Sequence, residues 1–88
     1  MRMYTVYDQK AEFYARPVFF RAHGEATRVL ADEMANGETE LGKHPEDYIL
    51  FHVADFDEQT GEVTPVTPPL VLGRGSDLLP VHHDVDQE

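Results

Sequence analysis

"YILFHVADF", residues 48–56, is the most strand-like run in the chain. Aromatic, aliphatic and β-branched side chains fill it, and the polar stretches "KHPED" and "DEQTG" bound it on either side. Alternation puts Ile49, Phe51 and Val53 on one face and Tyr48, Leu50, Ala54 and Phe56 on the other. Both faces are largely apolar, which is the pattern of a central strand covered on both sides. The rest of the fold is read outward from this strand.

Downstream, "DEQTG" reads as a turn, with Gly61 suited to a positive φ. "EVTPV" then returns as the partner strand. Pro65 has no N–H to donate to a ladder, so this strand belongs at a sheet edge. Pro68 and Pro69 are expected to end it, and "LVLG" to add a further short strand. Residues 1–73 make one domain on this reading, and 74–88 an acidic, flexible tail.

Upstream, "MYTVYD" (3–8) reads as a first strand, with Met3, Thr5 and Tyr7 on one side and Tyr4 and Val6 on the other. "QKAEFYARP" is an extended crossing or a loop, and "VFFR" a short strand. Gly24 to Asn36 reads as a helix, because Ala26, Val29, Leu30 and Met34 share one face. Glu25 in its first turn suits the positive end of the dipole. Arg28 and Asp32, four apart, are placed to pair on the solvent side. Asn36-Gly37 is a stop signal with a left-handed glycine. "GETELGKHPED" is a polar connection. The sum is α+β: a small antiparallel sheet of three or four strands with one helix packed on one face. One sheet face is left over for dimerisation or ligand binding.

The 88 residues carry a formal net charge of -10 and no cysteine. Disulfides and thiolate catalysis are excluded. No apolar run is long enough for a signal peptide or a membrane span. The charge is uneven. Residues 1–28 hold five basic side chains against three acidic ones, a net of +2, and residues 29–88 hold two against fourteen, a net of -12. Acidic bulk repels phosphate, but the basic third brings Arg16, Phe19, Phe20 and Arg21 together just ahead of the helix. Aromatic rings that stack on bases, next to cations that meet phosphates, are the chemistry of single-stranded nucleic-acid binding. The competing reading buries one or both rings beside the helix, and alternation favours one in and one out.

Other constellations are weaker. Lys43, His44, Glu46 and Asp47 offer acid and base groups on a proline-bearing turn, without the cleft that catalysis requires. His82, His83, Asp84 and Asp86 match no closed zinc spacing. The one serine, Ser76, falls in the expected tail, and "GRG" (73–75) lacks the lysine and helix of a phosphate loop. No enzyme, metal or cofactor is expected.

"MYTVYDQKAEFY", "FFRAHGEATR", "KHPEDYILF" and "FDEQTGEVTP" stand in an order and spacing that resembles the small non-structural protein of gokushoviruses, microviruses with circular single-stranded DNA genomes. The resemblance covers residues 3 to about 73. It implies a DNA-binding phage protein made in the host bacterial cytoplasm, absent from the mature virion, and active when replication turns to single-stranded genomes for packaging. It supplies no catalytic residues. The expected contact surface comes from "KAEFYARPVFFR": Lys10, Tyr14, Arg16, Phe19, Phe20 and Arg21, with Arg28 one turn into the helix. The first expectation is thus a homodimeric single-stranded DNA-binding accessory. The second is an adaptor whose acidic face docks on the replication initiator, host replication machinery or procapsid.

Overall fold

The computed structural model describes residues 1–78. In chain order they form β1 (Arg2–Asp8), β2 (Phe13–Tyr14), β3 (Val18–Phe20), α1 (His23–Ala35), α2 (Glu40–Lys43), a 3-10 turn (Pro45–Asp47), β4 (Tyr48–Phe56), β5 (Val63–Arg74) and α3 (Gly75–Leu78). No helix among the described residues is long and apolar enough to cross a membrane.

The α+β class is as expected, but the antiparallel sheet has five strands rather than three or four. β4 lies between β1 and β5, as its two apolar faces require. β2 and β3 both pair with the outer side of β1, opposite Tyr7–Asp8 and Arg2–Tyr4 respectively. The ambiguous segment after residue 8 therefore returns along the same edge in two short pieces. Between them, the Thr5 hydroxyl donates to the Ala15 carbonyl at 2.7 Å and the Ala15 N–H to the Val6 carbonyl at 2.8 Å.

Helix α1 covers one face of this sheet. Ala26, Leu30 and Met34, four apart, are buried, and they join Tyr4 and Leu50 in the core. Val29 is 42% exposed, because its position lies about 100° around the helix from Leu30. The Glu25 carboxylate accepts the Arg21 backbone N–H at 3.0 Å, tying down the chain that enters the helix. The stop differs from expectation: Asn36 is extended at φ -86°, and no left-handed glycine follows. Arg28 and Asp32 form no ion pair; His52 Nε2 lies within hydrogen-bond distance of the Asp55 carboxylate, at 2.9 Å.

The polar connection contains α2, whose first turn is capped by the Thr39 hydroxyl accepting the Gly42 N–H at 3.0 Å. In the β4–β5 turn, Gly61 has φ 78°, as expected. The Asp57 carboxylate there accepts the Gln59 and Thr60 N–H groups, and these donors lower its pKa.

Pro68 and Pro69 do not end the return strand. The register jumps from Ala54↔Pro65 to His52↔Leu70, so both prolines fall in a bulge where the ladder needs no N–H. β5 is an edge strand, as Pro65 implies. The ordered fold also runs past residue 73. Gly75 is buried against Met34, and Leu78 packs on the core. Of the expected 74–88 tail, residues 74–78 belong to β5 and α3, and 79–88 lie outside the described residues.

Candidate nucleic-acid interface

Residues paired across an antiparallel ladder point to the same side of the sheet. Tyr4, fully buried under α1, marks the helix side of β1, so Met3, Thr5 and Tyr7 mark the open side. Their partners follow from the register. Phe19 lies opposite Met3, Tyr14 and Ile49 opposite Tyr7, and Phe51 opposite Thr5. On β5, Val71 faces Phe51 and Arg74 faces Ile49.

The rings on this side gather in two groups. Tyr14 lies 4.6 Å from Tyr7 and 5.9 Å from Phe51, centroid to centroid, and Phe19 lies 6.0 Å from Phe56. Such tilted and edge-on contacts are favourable aromatic geometry, and they leave outer ring surface free. Tyr14 is 53% and Phe19 42% exposed. No Asp or Glu occupies these register positions. An aromatic, uncovered sheet face with no carboxylate at its paired positions is what base stacking requires.

Phe56 arrives there through an irregularity. Strict alternation sets it on the Leu50 face, but the β1–β4 register shifts so that Tyr4 pairs with His52 and Met3 with Ala54. The additional residue, Val53, flips everything after it to the other side.

The expected contact residues divide. Tyr14 and Phe19 sit on the open face. Phe20 does not; it pairs opposite Arg2 on the helix side, 5.9 Å from the Tyr4 ring, and packs against the core. That removes it from any stacking surface. Arg16 lines a cleft on the helix side. Arg28 is exposed on α1, which covers the opposite face from the rings. Lys10, in the β1–β2 turn, and Arg21, just after β3, are exposed at the two ends of the β2–β3 edge. Tyr7, Phe51, Phe56 and Arg74 were not singled out from sequence. Strand alternation groups Tyr7 with Thr5, but only register brings Tyr14, Phe51 and Arg74 alongside.

Carboxylates concentrate elsewhere. Burial first, and then the charges of Asp8, Glu40 and Asp47, raise the pKa of the Tyr48 hydroxyl. His44, Glu46 and Asp47 come within 4.8 Å of one another at this corner, where His44 and Glu46 are exposed. His82, His83, Asp84 and Asp86 lie outside the described residues.

A second polar cluster fastens α1 to the sheet. The Tyr4 hydroxyl lies 2.8 Å from His23 Nδ1, and His52 packs 5.1 Å from His23, ring to ring. Burial, then the Arg2 and His52 charges, lower the pKa of His23 against the opposing Asp55. His23 therefore favours the neutral ring, whose Nδ1 accepts the Tyr4 proton.

The fold and this face define a small α+β domain with an exposed aromatic sheet. The chain belongs to the phage ORF5 protein family, whose sequence model matches residues 1–78. No curated protein and no solved structure matches the chain significantly.

Proposed function

We propose that this phage protein binds single-stranded DNA on its open sheet face, as a non-enzymatic accessory of genome replication or of the switch to single-stranded synthesis and packaging. The observation that carries the reading is the open face with its two ring groups, Tyr7–Tyr14–Phe51 and Phe19–Phe56, and no Asp or Glu at its paired positions. Bases stack on Tyr14 and Phe19, the more exposed members of each group. Lys10, Arg21 and Arg74 meet phosphates at the margins. Stacking tolerates any sequence, because every base has a π-face. Membership of a phage family and the gokushovirus resemblance support the setting, which is the host cytoplasm.

Fluorescence titration of labelled oligonucleotides tests this. Tyr14→Ala and Phe19→Ala are each expected to weaken binding by about 1–3 kcal/mol, and Lys43→Ala, on the acidic side, to leave it unchanged. Equal binding by all three variants sinks the stacking site. The second reading, a protein-interaction adaptor, draws on the acidic corner around Tyr48. Co-purification with phage or host replication proteins that survives nuclease, together with no oligonucleotide binding, favours it.

A further inference from the structure

The helix side of the sheet holds a cleft of about 170 Å³ between β1, β3 and α1. Val6, Val18, Phe20, Val29 and Leu30 make most of its wall, and Arg16 and Glu33 are its charged lining. Val18 is 48% and Val29 42% exposed, so the apolar lining continues onto the surface. An apolar cavity of about 150 Å³ holds a benzene molecule. The cleft thus has room for one phenyl group.

The chain itself offers such a group at the same sheet edge. Phe13 lies opposite Asp8, on the helix side by register, and is 56% exposed. The turn that presents it closes through Glu12 at φ 61°, a left-handed conformation uncommon outside glycine. Phe13 therefore stands out from its own fold beside a cleft of matching size.

We infer that Phe13 of a second copy occupies this cleft, and that the exchange is mutual in a two-fold dimer. A two-fold interface needs ring and cleft on one surface, because each copy contributes both. That condition is met along the β2–β3 edge. Charge at the contact is mixed: Asp8 and Glu12 flank Phe13, and Arg16 on the cleft wall is placed to offset them across the interface, with Glu33 as the opposing charge. The ring face on the reverse of the sheet stays open to DNA in both copies.

Sedimentation velocity on the full chain, across a concentration series, tests the dimer. The wild type is expected to dimerise. Phe13→Ala and Val29→Glu are each expected to raise the dimer dissociation constant at least about tenfold, a fold-change typical of a buried aromatic anchor. Both positions are exposed in the single chain, so circular dichroism should show the variants folded. A wild type that stays monomeric at its highest soluble concentration overturns the inference. So does a dimer that ignores both substitutions, or one that Tyr14→Ala disrupts instead. Oligonucleotide binding by the Phe13→Ala chain separates the two proposals, since stacking on Tyr14 and Phe19 does not need Phe13.

Discussion

His23 shows how one side chain ties folding to pH. It opens α1, holds the Tyr4 hydroxyl at 2.8 Å and lies within ring contact of His52. The groups facing it are Arg2, Tyr4, His52 and Asp55. Burial and the neighbouring positive charge keep its pKa below the ordinary 6.5, so the folded chain resists a proton that the unfolded chain accepts. Stability from this contact is complete above pH 6.5 and declines as pH falls below that value towards the folded pKa. Thermal melts from about pH 7.5 to about pH 5 should show a falling midpoint in the wild type, spanning the ordinary histidine range. His23→Gln keeps an acceptor for Tyr4 but cannot titrate, and its midpoint should fall less steeply. Equal slopes refute the assignment. Nothing in the sequence marked His23 or His52, because histidines 29 positions apart carry no local signal. The neighbouring pair Phe19 and Phe20 was legible, because a strand must send successive side chains to opposite faces.

At the scale of elements, close approaches decide more than propensity does. A Cβ on Gly42 would overlap the Asn36 carbonyl, a backbone atom that cannot rotate aside. Gly37 has open space around its Cα and no positive φ. Gly42→Ala should therefore destabilise by about 1–3 kcal/mol, as overpacking does. Gly37→Ala should change stability by less than about 1 kcal/mol. Urea unfolding of the two variants measures the contrast, and equal midpoints refute it. The same contrast explains what the sequence concealed. β4 was legible from end to end, since its apolar run is long and sharply bounded. α2 and α3 were not, because four-residue helices are too short to show a period. β5 was divided at its proline pair, because the bulge that accommodates Pro68 and Pro69 depends on the partner strand.

For the whole molecule, the arrangement of charge matters more than its total. A net of -10 argues against nucleic acid only if it is uniform, and here the paired positions of the ring face hold no Asp or Glu while Tyr48 marks an acidic corner. The proposed binding face draws on three cations, Lys10, Arg21 and Arg74. Each phosphate neutralised on a single strand releases about 0.7 counterions. The logarithm of the binding constant should then fall with the logarithm of salt at a slope no steeper than about -2 for three contacts. Arg74→Ala should make that slope shallower by about 0.7. Titrations at four or more salt concentrations measure it, and a slope untouched by Arg74→Ala removes that residue from the site.

By itself the sequence determined the central strand, the helix with its buried face, the edge position of Pro65 and the partition of charge along the chain. Each of these is written in neighbouring residues, as a period, a missing N–H or a local count. Only the tertiary structure decided which rings meet. It moved Phe56 across the sheet through one additional residue, set Tyr14 beside Phe51, and sent Phe20 and Arg16 to the helix side. Those outcomes depend on how distant strands slide into register, and register is fixed by packing the whole core at once rather than by any one segment.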